Sequence, residues 1–418
     1  MLLVKNLSYN NLLKYLFSLE RLGIKYNLNN IKYILDYLGN PQNSFKSIHI
    51  AGTNGKGSVS SYLNSILIES GYKTALYTSP HILDFRERIS VNGKLISKNF
   101  IIKFVEKINP IIKKIKPSFF EVTTAMAFEY FKSKKVDIAV IETGLGGRLD
   151  STNVLNPLIS IITAIGIDHT SFLGNSIEKI TREKAGIIKK NSFCVTGKLP
   201  KNSLEIIKDR CAKLKTHLIN SGKENLLDKI NLDIKISPAF QKINLNTVMS
   251  SVSVLIYYFG FKIKKSELIS GIKNVSVNSN FHGRFEQIKK NPFVIIDVSH
   301  NSQALANLKS NLKSYSYDNL FIIFGLMSDK EIKNCVTEIE KLKAEKIILT
   351  KAEIKRSLNS VELSEYFKNK KNIILTNNLS EAIKTGKSLI NKKDLLLVTG
   401  SFYVVSDFIL ANKKHKLF

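Results

Sequence analysis

KSIHIAGTNGKGSVSS, residues 46–61, reads as a strand, a glycine-rich turn and the opening of a helix. Ile48 and Ile50 give the apolar beat of the strand. Gly52, Gly55 and Gly57 let the backbone turn tightly and approach a ligand closely. From Ser58 onward Val59, Leu63, Ile66 and Leu67 fall on one helical face. A glycine loop that opens a helix aims several backbone N–H groups at one spot, and the helix dipole favours negative charge there. Lys56 adds a full positive charge and Ser58 a hydroxyl suited to a magnesium ion. The stretch therefore predicts a nucleotide phosphate site. It departs from the general pattern G-x-x-x-x-G-K-[ST]: the first two glycines are closer together, and Gly57 separates Lys56 from Ser58.

The rest of the chain sets bounds on this reading. Its 418 residues suffice for two or three domains with large cores. There are 63 Lys and Arg against 34 Asp and Glu, a formal charge of +29, which raises a nucleic-acid partner as a possibility to weigh. The lysines, however, run along the whole chain beside Asn and Ile and form no basic arm, so no nucleic-acid partner is expected. A positive field of this kind still attracts anionic small molecules such as ATP. Cys194, Cys211 and Cys335 are odd in number and lack ligand spacing, which suggests a reducing compartment and no zinc site. The N-terminus lacks the pattern of a signal peptide, and no run of 18 apolar residues occurs, so a monomeric cytoplasmic enzyme with no membrane partner is expected.

Strand-like and helix-like segments alternate from residue 46 onward, implying an α/β fold whose sheets are mostly parallel and covered on both faces. Residues 1–280 are expected to form a P-loop-type domain. Residues 281–418, where the alternation restarts with VIIDVS, LFIIFGL, KIILT, NIILT and DLLLVTG, are expected to form a smaller domain. NSNFHGRFEQ (278–287) is expected to be the hinge, and KINLDIKIS (229–237) to hold a β excursion.

Ligands of open α/β sheets bind beyond the carboxyl ends of the strands. Ser58, Ser79, Glu142 and His169 stand at or near such ends and are expected to converge on one magnesium–phosphate site, since hard oxygen donors suit magnesium and one imidazole is tolerable. Taken singly, Glu142 also reads as a capped surface carboxylate and His169 as a core or surface histidine. GLGGRLDSTNV (144–154), with Arg148 and Asp150, is a glycine-rich loop placed to lie over a substrate, and Lys184 falls near the same sheet edge.

GTNGKGS, TSPHILDFRERI, SFFEVTTAMAF, ETGLGGRLDSTNV, GIDHTSFLG, REKAGIIK, GRFE, DVSHN and VTGSFYVV occur in an order that resembles folylpolyglutamate synthases and bifunctional dihydrofolate synthases of the Mur ligase superfamily, across nearly the whole chain. The resemblance implies a central ATP-binding domain, a Rossmann-like C-terminal domain, and ATP-dependent ligation of L-glutamate to dihydropteroate and folates. It implies that Asn54, Gly55, Lys56, Gly57 and Ser58 hold the ATP phosphates, and that Ser58, Ser79, Glu142 and His169 bind magnesium, two ions in all. Lys184 matches a lysine carbamylated in that family, which as a carbamate would bind the second ion; the resemblance also admits a monovalent cation. Arg284, Asp297 and His300 resemble nucleotide-side positions, with Asp297 on the ribose. Lys56, Lys184 and His300 are the expected catalytic residues. Asn244 resembles the asparagine near the adenine, with Asn246 as the alternative. Phe120, Glu121, Leu149, Asp150 and Ser151 fall where the pterin substrate binds. Phe281-His282, Phe240 and Val298-Ser299 depart from the family's usual residues. A folylpolyglutamate synthase without the dihydropteroate activity, another Mur-type ligase, and a basic nucleotide-dependent nucleic-acid-binding protein remain the alternatives.

Overall fold

The phosphate-loop strand is the centre of the first sheet. In the computed structural model, which describes residues 8–23, 27–223, 226–227, 238 and 240–415, β1 (Lys46–Ala51) runs parallel to β5 (Ile138–Glu142) on one side and β6 (Ile159–Ile162) on the other. The sheet continues through β2 (Thr74–Tyr77), β3 (Ile89–Val91), β4 (Lys94–Leu95), β7 (Phe193–Thr196) and β8 (His217–Asn220), in the order β4-β3-β2-β5-β1-β6-β7-β8. Only β3 and β4 are antiparallel to their neighbours. Strands buried on both faces need near-continuous apolar runs, and IAVIE and ISII supply them. Helices Tyr9–Ser18, Asn29–Tyr37, Lys98–Ile115 and Phe119–Lys134 bury Leu12, Ile34, Ile108, Phe128 and Phe131 in the core with Tyr77 and Ile141 of the sheet.

The helix after the phosphate loop, Lys56–Glu69, departs from expectation. Its apolar stripe is buried, but so is its serine-rich face, from Ser58 through Leu67. Helices Lys265–Lys273 and Val275–Ser279 cover that face by polar contacts. Ser65 Oγ donates to Gly271 O at 2.7 Å, and Asn64 Nδ2 reaches Asn278 O at 3.1 Å and Ser279 Oγ at 2.9 Å. A Cβ on Gly271 would lie 2.6 Å from Ile66 Cα, so the small residues are what let the two helices meet.

The second sheet has the order β13-β12-β11-β14-β10-β9. It comprises β9 (Glu286–Lys290), β10 (Phe293–Asp297), β11 (Leu320–Phe324), β12 (Lys346–Leu349), β13 (Ile373–Leu375) and β14 (Leu395–Thr399). All pairs are parallel except β9 with β10. Ile295, Leu305, Ile322, Phe324, Leu349 and Leu397 form its core.

The chain divides into two units. The first takes the described residues of Met1–Ile165, Asn175–Ile234 and Ile243–Phe281; the second takes Gly166–Gly174, 240–242 and His282–Phe418 as far as described. The sequence reading made a single division at 280/281; Gly166–Gly174, which carries His169, groups with the second unit instead. The segment 229–237 lies outside the described residues.

Candidate active site

The phosphate loop is shaped by hydrogen bonds to the end of β6 and by close approaches at its glycines. Thr53 N donates to Ala164 O at 2.6 Å and Thr163 Oγ1 to Asn54 O at 2.7 Å, so the end of β6 holds the loop against β1. Gly52 has no room for a Cβ, because Thr163 Oγ1 fills the place. Gly55, at φ +87°, is the N-cap of the helix, and its Cβ would lie 2.6 Å from Asn244 Oδ1. Asn244 thus reaches the loop, whereas Asn246 Oδ1 accepts from Leu227 N at 3.2 Å. The first-turn N–H groups at Lys56, Gly57 and Ser58 are left by helix geometry for an outside acceptor.

Two lysines converge on one carbonyl. Lys56 Nζ donates to Gly52 O at 3.0 Å and to Thr53 O at 3.3 Å, and lies 4.0 Å from Glu142 Oε1. Lys184, at the end of helix Ile177–Ala185 and only 5% exposed, donates to the same Gly52 O at 2.8 Å. Glu142 Oε2 accepts from Ser79 N at 3.3 Å, which brings Ser79 to the same strand end. Ser58 and Glu142 are buried. These features suit a nucleotide and a hard divalent cation: Gly52 and Gly55 leave no room for a side chain, the helix offers N–H donors, and the groups of Ser58, Ser79 and Glu142 able to meet a metal are oxygens. Among the described residues no three His, Cys, Asp or Glu side chains gather as a metal cluster of their own. His169 folds in the second unit, while Ser58, Ser79 and Glu142 fold in the first.

The loop 144–154 is fixed from both sides. The Phe120 ring occupies the place of a Gly144 Cβ, 2.5 Å away. Glu121 caps its helix through Oε2 to Ser118 N at 2.6 Å, while its buried Oε1 has no partner among the described residues. Asp150 accepts from Leu145 N at 2.8 Å and Thr152 N at 3.0 Å, and burial pushes its carboxyl up. Leu149 is half-buried and Ser151 buried.

Behind this loop stands a buried relay that the sequence did not reveal. Thr152 Oγ1 donates to Asp150, so it accepts from His49 Nε2, 2.7 Å away on β1. Burial, then the charge of Lys189, push His49 down to about 3. His81 is also pushed down to about 3, by burial and then Arg88. Both imidazoles stay neutral in the folded chain and take up a proton near 6.5 once unfolded. The unfolded chain therefore binds more protons below that value, and stability is lost as pH falls from about 6.5 towards 3. Melting temperature is expected to drop across that window, and His49→Gln to flatten the slope. An unchanged slope in that variant would remove His49 from the account.

In the second unit Asp297 holds a strained turn. Its Oδ2 accepts from Phe285 N at 2.7 Å and its Oδ1 from Ser299 N at 2.8 Å; Phe285 sits at φ +55°, rare for a bulky residue. The Ser299 side chain bonds the same carboxylate, and burial pushes the carboxyl up. The turn sets Arg284 over the Phe402 ring at 4.9 Å, and the His300 ring lies 5.6 Å from the same phenyl. Phe402 and Lys330 were not singled out in the sequence; Lys330 follows the end of β11 within GLMSDK, and that position was its one signal. Lys330 Nζ pairs with Asp168 at 2.8 Å. Burial works to raise the Asp168 carboxyl, but His300, then Lys330, hold it well below the usual carboxylate range.

Residues 50–285 match the Mur ligase middle domain, and residues 283–402 the Mur ligase, glutamate ligase domain. A Buchnera aphidicola (subsp. Acyrthosiphon pisum) protein named dihydrofolate synthase/folylpolyglutamate synthase is 33% identical, over 97% of this chain and 98% of that protein. The chain belongs to this family of Mur ligases. Its fold is that of solved relatives. A Mycobacterium tuberculosis folylpolyglutamate synthase complexed with ADP superposes on this Mur ligase with a TM-score of 0.86 at 27% identity, covering 96% of this chain and 98% of that one. A Yersinia pestis bifunctional folylpolyglutamate synthase/dihydrofolate synthase complexed with AMPPNP and Mn ion gives 0.86 at 26%, covering 98% of each.

Proposed function

We infer that this chain is an ATP-dependent ligase that joins L-glutamate by an amide bond to dihydropteroate and to folates. The observation that carries the reading is the phosphate loop, a glycine-lined helix N-terminus on which Lys56 and Lys184 converge. The family, and relatives named for this chemistry, support it.

The carboxylate of the pterin-bearing substrate attacks the γ-phosphorus of ATP and displaces ADP, giving an acyl phosphate. The amine of L-glutamate then attacks the acyl carbon, loses a proton and expels inorganic phosphate. Asn54 to Ser58 hold the phosphates, and Lys56 neutralises the charge that spreads over them as the bond to ADP breaks. Phe120, Glu121, Leu149, Asp150 and Ser151 hold the pterin arm. Arg284, Asp297 and His300 take the nucleoside side, with Asn244 near the base. Ser58, Ser79, Glu142 and His169 are the residues that would hold a divalent cation, assigned as Mg2+. When bound, it offsets negative charge on the phosphate oxygens. Positioning the two reactants in line supplies much of the rate.

Lys184 is assigned as a carbamate. A carbamate nitrogen keeps one N–H, so the bond to Gly52 O is compatible with it. Protein kept in bicarbonate should carry the mass of one CO2 on the peptide containing Lys184 after trapping. An unmodified lysine there in active protein would withdraw the assignment.

The enzyme is read as a cytoplasmic monomer acting on small molecules. The deciding experiment supplies dihydropteroate and tetrahydrofolate separately, each with ATP and L-glutamate, and follows ADP release and product mass. A glutamyl product from each is expected. Product from tetrahydrofolate alone would narrow the protein to a folylpolyglutamate synthase, and product from neither would overturn the reading.

A further inference from the structure

Asp168 gathers groups from three segments of the second unit. Its Oδ1 accepts from Lys330 Nζ at 2.8 Å and from the backbone N of His169 at 2.9 Å. Its Oδ2 accepts from Asn301 Nδ2 at 3.3 Å and lies 3.7 Å from His300 Nε2 and 3.8 Å from His169 Nε2. The Asp168 side chain is 9% exposed and that of Lys330 8%, so the pair is removed from water on both sides.

The partners of Asp168 are themselves oriented. Asn301 Oδ1 caps the helix Ser302–Leu312 by accepting from Ala304 N at 2.9 Å, which turns its Nδ2 towards Asp168. His300 Nδ1 donates to Val298 O at 2.9 Å, which leaves Nε2 as the ring nitrogen on the Asp168 side. The ring also lies against Phe402, 5.6 Å between centroids. A backbone carbonyl, the Phe402 ring and the carboxylate edge border the imidazole on three sides, and a ring that carries a proton on Nε2 as well points that N–H at the carboxylate. Of the three, only the carboxylate carries charge, and only it depends on another side chain, Lys330, to make its burial tolerable.

We propose that Asp168 is a positioning residue for the ligase reaction: Lys330 neutralises its buried charge, and its Oδ2 edge holds His300 and Asn301 in the orientation in which His300 meets the nucleotide. Asp168 touches neither reacting group; it acts through His300. The proposal rests on the assignment of His300 to the nucleotide side.

The test uses the full-length enzyme and reads ADP affinity together with kcat and the KM for ATP and for the folate substrate. Asp168→Asn keeps the shape and removes the charge. It is expected to weaken ADP binding and raise the KM for ATP by about tenfold or more, as loss of an orienting partner typically does, while the folate KM stays within about twofold. Because His300 is the route, adding His300→Ala to Asp168→Asn should cost no more than His300→Ala alone. The double variant Asp168→Asn/Lys330→Met leaves no unpaired buried charge; it should melt near the wild type yet keep the ATP-side defect. Unchanged ADP affinity and ATP KM in Asp168→Asn, losses that multiply in full with His300→Ala, or wild-type kinetics in the charge-free double variant would each overturn the proposal. Failure of the wild type to turn over any folate would count against the ligase reading, while ADP affinity would still decide on Asp168.

Discussion

Lys56→Ala is expected to lower ligase turnover by about 10^3-fold, the scale for removing a charge-stabilising donor from a phosphoryl-transfer site, with little change in stability. The two halves of this expectation have separate causes. Among the described residues Lys56 donates to two loop carbonyls, at 3.0 and 3.3 Å, its ion pair with Glu142 is long at 4.0 Å, and its side chain is 18% exposed, so its removal opens no core cavity. Gly52 O keeps the Lys184 donor at 2.8 Å, so that carbonyl is not orphaned. The stability cost should stay near about 1 kcal/mol, the worth of an ordinary hydrogen bond. Loss of the positive charge, by contrast, falls where negative charge shifts during transfer to the acyl oxygen. Circular-dichroism melting alongside ADP release would check both halves. Near-normal turnover would dismiss the loop as the phosphate site; collapse of the melt would make Lys56 structural.

Gly147→Ala is expected to damage stability and activity together. A Cβ at Gly147 would lie 2.7 Å from Lys184 O and 2.8 Å from Glu183 O, both backbone atoms that cannot rotate away. Either the loop 144–154 or the end of helix Ile177–Ala185 must move. Moving them apart breaks the bond from Arg148 N to Glu183 O at 2.7 Å and drags Lys184, whose Nζ reaches the phosphate loop. Overpacking of this kind costs about 3 kcal/mol, which corresponds to a fall in melting of roughly 5–10 °C. Activity should fall more than the melt accounts for, because both the substrate loop and Lys184 shift. A variant with wild-type melting and kinetics would show that the two backbones can part freely.

The strand–loop–helix at 46–61 and the five parallel strands of the second sheet were legible because each is an apolar run ended by glycine or a hydroxyl, and nothing nearby competes with that pattern. The buried serine face of helix Lys56–Glu69 was not. Ser60, Ser61, Asn64 and Ser65 look solvated in sequence, and only the small helices at 265–279 turn them inward. β9 was missed for a similar reason: EQIKK has a charged, unalternating sequence and becomes a strand by pairing with β10 at the sheet margin. His169 was legible as a strand-end histidine, but its company was not, since Asp168 meets Lys330 across 162 positions of chain. The His49 relay left no signal, because a lone histidine in a strand is mute about a threonine 103 residues away.

Among the described residues the outermost strands of the two sheets are β4 and β8 in one, β9 and β13 in the other. Such strands carry backbone groups open to pairing with another copy of the same chain, the first step towards fibres. Here they are short, from two to five residues, and guarded by cations: Lys94 in β4, Lys289 and Lys290 in β9, Lys370 and Lys371 just ahead of β13. A charge of +29 thus has work at the sheet margins, where like charges keep two copies apart. Salt screens that repulsion, so concentrated salt is the condition under which this chain comes nearest to joining itself.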